Sequence, residues 1–273
     1  TLDLIHSWVY SDTSEFTHDS AVLVRDGIES IGELPGAEEW LVHPRLDVAA
    51  QMLACIQVGL TKPDPIRKIS GEADRKIDSI KAKDLLALSS DTWKGFFKNE
   101  DYVAKFLKEF QLCVANGRFS RNQCPYPGVA AIYIALRWHL EFENTKDRHW
   151  GLSHLNLLFK AFFWRNTFSR RYDQGSMTRT TRDITELKNI LNLFQKGQSE
   201  SDWAVIAHEK LENLSGMLKL SDLRQEIDLF CRNEENYRGA LQQALNLLLY
   251  TRARRDFINP EISIKNLEST PQL

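Results

Sequence analysis

Apolar residues along this chain recur mostly at helical spacing. Leu46, Ala49, Met52, Leu53, Ile56 and Leu60 mark one face of a helix. Gly59, followed by Pro63-Asp64-Pro65, stops it. The stretch from Arg67 to Lys83 is charged and poor in aromatics, and reads as exposed connection with a short helix. Ser90-Asp91 reads as the cap of one long helix through Val103, Phe106, Leu107, Phe110 and Val114, which Asn116-Gly117 ends. Cys124-Pro125-Tyr126-Pro127 is a rigid entry to the next helix, because proline suits the first turn, where amide hydrogens lack partners anyway. That helix, Val129 to Phe142, is apolar nearly all round and belongs at the centre of the fold.

A second helix rich in large apolar residues is expected from about His149 to Tyr172. Asp173-Gln174-Gly175-Ser176 forms a turn, and Thr180 with Asp183 resembles a capping box in the first turn of the helix that follows. Its apolar stripe is narrow: Ile184, Leu187, Ile190, Leu191 and Phe194. After a polar loop from Gly197 to Ser201, shorter helices are expected, broken near Asn213 to Gly216 and near Asn233. A last long helix uses Tyr237, Leu241, Ala244, Leu245 and Leu248. It ends in Arg252, Arg254 and Arg255, charges that suit a helix C-terminus. Only Glu261 to Lys265 and Ala21 to Val24 alternate like strands. The pattern therefore predicts an all-α protein, an irregular multi-helix bundle of roughly ten helices.

Composition narrows the function classes. The 273 residues are 42% hydrophobic and 26% charged, an ordinary globular balance with enough chain for a sizeable core. A net charge of -2 gives no global basic character, so any nucleic-acid surface has to be a local patch. The longest apolar runs, Gly128 to Leu136 and Leu245 to Tyr250, are too short to span a bilayer, and no signal-peptide pattern opens the chain. A membrane partner is not expected. Cys55, Cys113, Cys124 and Cys231 are widely spaced among apolar neighbours and read as reduced core thiols of a cytoplasmic protein. The chain opens on Thr1 and closes on Leu273 just after a proline, which reads as a segment cut from a longer protein.

Motifs for chemistry are sparse. There is no Gly-Lys-Ser/Thr phosphate loop and no GxGxxG after a strand. None of the seven histidines pairs with another His or a Cys at zinc spacing. His208-Glu209 begins like a zincin helix, but Glu212 stands where the second histidine would be. Glu186-Leu187-Lys188 is formally the ExK of many nucleases, yet it falls on an amphipathic helix and reads as a solvated face. No Ser, Cys or Thr sits in an elbow that would expose it as a nucleophile. No catalytic residue, metal ligand or cofactor is assigned in this chain.

The most suggestive constellation lies between Trp164 and Asp183. In a helix running to Tyr172, Trp164, Phe168 and Tyr172 fall at i, i+4 and i+8 on one stripe. Arg165, Arg170 and Arg171 share that helix end, and Arg179 and Arg182 open the next helix, against Asp173 and Asp183. Two readings are open. Arginine forks match phosphate oxygens, and Ser176, Thr178 and free helix-start amides could join them on an anion or a nucleic-acid backbone. Alternatively, the arginines lock a helix hairpin by pairing with Asp183 and with helix carbonyls, and the aromatics are core.

The order of these segments resembles a specific family. Ala161-Phe-Phe-Trp-Arg-Asn-Thr-Phe-Ser-Arg-Arg-Tyr172, then Arg179 and Asp183-Ile-Thr-Glu-Leu187, is similar to the middle helical region of GmrSD-type restriction proteins. Pro125-Tyr126-Pro127 before an apolar helix resembles their Leu-Pro-Tyr-Pro segment. Thr1-Leu2-Asp3-Leu4 resembles the element closing their N-terminal domain. Arg254-Arg255-Asp256 with Leu267 to Leu273 resembles the approach to their HNH domain.

The resemblance implies a bacterial anti-phage protein. An N-terminal ParB-like domain with an Asp-Gly-Gln-Gln-Arg motif would hydrolyse nucleotide, and a C-terminal HNH domain would cut DNA. Residues 1–35 would end the first domain, 36–258 would form a helical connector, and 259–273 would lead into the nuclease. Both catalytic motifs are missing from this sequence. A nucleoside triphosphate and a divalent metal would accordingly be cofactors of the parent protein, and the partners would be its two flanking domains and DNA. Three functions stay in view: a non-catalytic connector, a DNA-binding surface using the Arg165 to Arg182 cluster, and a self-contained enzyme with an unrecognised site.

Overall fold

The computed structural model describes residues 30–38, 40–41, 47–59, 79–81, 84, 90–143, 148–215, 221, 224–225, 227–228 and 239–252. Every regular element among them is helical. We label the α-helices α1 (Asp47–Val58), α2 (Ser90–Phe97), α3 (Glu100–Ala115), α4 (Val129–Phe142), α5 (Leu152–Phe168), α6 (Ser176–Asn192), α7 (Glu200–Ser215) and α8 (Ala240–Arg252). A 3-10 turn, Arg121–Gln123, precedes α4. The all-α expectation holds. Both strand-like stretches, the segments at Thr1 to Leu4, Pro63 to Pro65 and Leu267 to Leu273, and Cys231, Arg254 and Arg255 lie outside the described residues.

Helix α4 is the axis of the fold. Every residue from Val129 to His139 is buried, as an apolar run with no polar face requires. Helices α1, α3, α5 and α6 pack around it, and α1 also meets α6. Helix α7 lies across α5 and α6, while α8 rests on α3, α5 and the 3-10 turn. Aromatic rings fill the space between α3, α4 and α5. Phe110 has ring partners Trp40, Phe119, Tyr133, Phe159 and Phe163 with centroids 5.6–6.0 Å apart, mostly edge-on as ring quadrupoles favour. Two of the buried indole N–H groups find carbonyl acceptors, Trp40 donating to Phe119 at 2.9 Å and Trp203 to Ile190 at 3.1 Å, whereas that of Trp138 has no partner among the described residues. Cys55, Cys113 and Cys124 are buried free thiols. Burial pushes the thiols of Cys113 and Cys124 up to about 12, which removes thiolate reactivity.

Several boundaries differ from the sequence pattern, each for a local reason. The single helix expected from Ser90 through Val114 is two. The chain turns at Lys98-Asn99, and the Asn99 side chain donates to the Gly95 carbonyl at 2.8 Å, ending α2 where the backbone alone would have continued. Thr180 and Asp183 do not cap α6. That helix begins four residues earlier, at Ser176, because Gly175 adopts the left-handed conformation (φ 64°, ψ 31°) that turns the chain into it. Thr180 and Asp183 are instead buried inside the helix. The short helices expected after Ser201 begin with a 16-residue one, α7.

A buried polar knot joins α1, α4 and α6. Lys188 donates to the Gly59 carbonyl and to Glu143 Oε2, both at 2.8 Å, and His139 Nδ1 lies 3.1 Å from Glu143 Oε1. Lys188 therefore does not belong to a solvated face, and the ExK reading of Glu186 to Lys188 is corrected. Ile184, Lys188 and Leu191 share the inward stripe of α6, and the lysine is tolerated there because its charge and its donors are matched. Burial would raise the Glu143 carboxyl, but His139 and Lys188 hold it at about 2. Burial, with Lys188 nearby, lowers the His139 imidazole despite Glu143, so the ring is neutral. Arg148 closes the end of α4, donating to the carbonyls of His139 at 3.0 Å and Glu143 at 2.8 Å.

Candidate functional site

The Trp164 to Asp183 region is a helix hairpin. Helix α5 stops at Phe168, earlier than Tyr172, because residues 169–172 form a turn. The turn is a Schellman closure: Arg171 N–H donates to the Asn166 carbonyl at 3.1 Å and Arg170 N–H to the Thr167 carbonyl at 3.2 Å. Arg170 occupies its left-handed position, with φ 52°, where glycine is the usual residue.

The turn aims Arg171 and Tyr172 back at α6. The Arg171 fork meets Asp183 with both terminal nitrogens. Nη2 donates to Oδ1 at 2.6 Å, and Nη1 donates to Oδ2 and, at 3.2 Å, to Asn166 Oδ1. The Tyr172 hydroxyl donates to Asp183 Oδ2 as well. Asp183 is fully buried and accepts all three bonds. Burial works against the Arg171 charge, but Asp183 outweighs it and raises the guanidinium further. Burial and then the carboxylate raise the Tyr172 phenol well above its ordinary value, so it is a permanent donor here. A second contact ties the entry to α4 into the same corner. The Tyr126 hydroxyl donates to Asp173 Oδ1, and the Tyr126 and Tyr172 rings lie 5.7 Å apart.

The structure thus divides the sequence constellation. Trp164 and Phe168 do stack on α5, with centroids 5.8 Å apart and planes at 22°. Tyr172 leaves their stripe, because it lies in the turn. Arg165 and Arg171 point to carboxylates, Arg165 Nη2 lying 3.4 Å from Glu212 Oε1 of α7. Arg170 is the pivot of the turn. Arg179 and Arg182 behave differently. Arg182 is exposed and Arg179 half-buried, and neither has an ion pair among the described residues. They line a cleft of about 490 Å³ between the hairpin turn and the end of α7, with Ser169, Arg171, Thr178, Leu214 and Ser215. Sequence reasoning grouped five arginines as one cluster. The signal separating them was phase: Asp183 follows Arg182 by one residue, a rotation that carries it from the outer to the inner face of α6.

Among the described residues, no group of three or more His, Cys, Asp or Glu side chains could hold a metal ion, and no helix is long and apolar enough to cross a membrane. His208 is exposed and only reaches Glu212, its Nδ1 3.9 Å from Oε1. No protein-family model, curated protein or solved structure matches the chain.

Proposed function

We propose that the chain is a non-catalytic helical module of a larger GmrSD-like restriction protein. In this reading it joins a nucleotide-hydrolysing domain to an HNH nuclease domain in the bacterial cytoplasm. The observation that carries the proposal is the use made of the residues behind the resemblance. Arg171, Tyr172 and Asp183 are consumed by one another in a buried clasp, and Trp164 and Phe168 stack beside it. Side chains so engaged hold helices in register. A rigid corner of this kind, which locks α5 to α6 and through Tyr126 to the start of α4, is what a connector between two working domains needs.

The test is turnover and coupling. The 273-residue chain, given ATP or GTP, magnesium or manganese and supercoiled DNA, should release no phosphate and leave no nicks. In a protein carrying all three segments on one chain, Asp183→Asn should leave nucleotide hydrolysis measurable while reducing DNA cleavage. Nucleotide turnover or DNA nicking by the 273-residue chain itself would overturn the proposal.

A further inference from the structure

The outer face of α6 bears a continuous polar stripe. Thr178, Thr181, Arg182, Thr185, Glu186 and Asn189 follow one another at helical spacing, opposite the buried Asp183, Ile184, Leu187 and Lys188. The stripe is bordered by concavities. Besides the 490 Å³ cleft at Arg179 and Arg182, a second of about 440 Å³ lies between α6 and residues 79–81, and a third of about 340 Å³ lies between α6 and α7. Arg182 lines all three, so they are parts of one surface.

The charge of this surface is set by four cations, Lys81, Arg179, Arg182 and Lys210, against one carboxylate, Glu186. Arg171 reaches the first cleft but is already neutralised by Asp183. The remaining polar groups are mostly hydroxyls: Ser79, Thr178, Thr181, Thr185, Ser169 and Ser215. Ser79, Ser169, Thr181 and Ser215 already donate their protons, to Asp84 and to the carbonyls of Asn166, Met177 and Leu211, so the donors that face anionic oxygens are the cationic side chains and the hydroxyls of Thr178 and Thr185. Thr181 is anchored, receiving a bond from the Ile80 N–H at 3.3 Å and donating to the Met177 carbonyl at 3.0 Å, which ties the 79–81 segment to the stripe.

We propose that this face of α6, centred on Arg179 and Arg182, binds the phosphodiester backbone of a nucleic acid. Its length fits an extended polyanion better than a single phosphate. The helix rises about 16 Å from Thr178 to Asn189, the axial length of about five phosphates along one strand. A lone phosphate would fill one cleft and leave the rest of the stripe unused. Contacts of this kind go to phosphate oxygens, which position a strand without selecting its sequence. The inference does not rest on the connector reading. Its failure would leave the clasp and that role intact, and nicking by the chain would leave this one intact.

The experiment is fluorescence anisotropy of the full 273-residue chain with labelled short DNA, duplex and single-stranded. With about three phosphates neutralised net, affinity should fall about 40-fold for duplex and about 20-fold for single strand between roughly 50 and 200 mM salt. The Arg179→Ala/Arg182→Ala variant should flatten the logarithmic salt slope by about two and weaken low-salt binding at least tenfold. Its circular-dichroism melt should match the parent, because neither side chain is part of the core. Lys210→Glu, on an exposed position, should weaken binding severalfold, whereas Lys98→Ala, in the turn between α2 and α3, should not. Three results would overturn the proposal: no binding at the lower salt, equal binding and slope in the double variant, or full competition by millimolar inorganic phosphate with a slope near one, which would mark a small-anion site.

Discussion

Asp183→Asn is the substitution that most directly interrogates the hairpin. The aspartate is fully buried and accepts two bonds from Arg171 and one from Tyr172. Asparagine keeps the shape but removes the charge, and it turns one acceptor into a donor facing donors. The Arg171 side chain is only 10% exposed, so water cannot replace the lost carboxylate. Removing one partner of a buried pair costs about 3–5 kcal/mol, because the other charge stays in the interior without compensation. Arg171 retains its bond to Asn166 Oδ1 at 3.2 Å, which places the expected loss near the lower end, about 3 kcal/mol. Urea denaturation followed by circular dichroism would read this as a lower midpoint at unchanged slope. Arg171→Met completes the cycle: added to the Asp183→Asn variant it should cost little, giving a coupling of about 2 kcal/mol or more. Additive losses, or a loss below about 1 kcal/mol for Asp183→Asn, would mean that the clasp does not hold the hairpin.

Further outcomes follow from other packed sites. Gly59→Ala should destabilise by about 1–3 kcal/mol in the same denaturation assay, since a methyl there would lie 2.5 Å from His139 Nε2 and 3.1 Å from Ile184 Cγ2. Trp164→Ala, at a half-buried ring, should cost about 2 kcal/mol, less than for a fully enclosed tryptophan. Stability should fall with acid. His139 titrates below its ordinary 6.5 in the folded chain, so its contribution is complete above that pH and is lost as the unfolded chain gains the proton first. Glu143 adds a second loss as pH drops from 4.5 toward about 2. In His139→Gln the limb that begins as pH falls through 6.5 should flatten, and the Glu143 limb should shrink to the part that Lys188 sustains.

Much of the fold was legible because burial demands pattern. The Val129 to Phe142 run has no face to offer water, and its central place followed from that alone. Pairing between Arg171 and Asp183 was legible as one of two readings, since both types occur at the facing ends of adjacent helices. The knot at Lys188 was not. A lysine reads as exposed by type, and what places it inside is its phase, level with Ile184 and Leu191, together with a carboxylate 45 residues away. His139 gave a weaker sign, a histidine inside an apolar helix with a glutamate one turn later. The break at Asn99 depends on a side chain competing for a carbonyl, which composition does not reveal. The clefts beside α6 arise from helices that meet only after folding, so no local signal could mark them.

The two ties of α6 differ sharply in how far they reach along the chain, and this sets an order of assembly. The clasp joins residues 12 apart, while the Lys188 bond to the Gly59 carbonyl joins residues 129 apart. Closing the longer loop costs more chain entropy, by about 2 kcal/mol on logarithmic scaling. Loop-closure entropy alone thus favours forming the α5–α6 hairpin before α1 docks onto it. On that order, substitutions at Asp183 are expected to slow folding and those at Gly59 to speed unfolding, so that the distant tie sets the lifetime of the native state, and the two arms of a chevron plot read these effects separately.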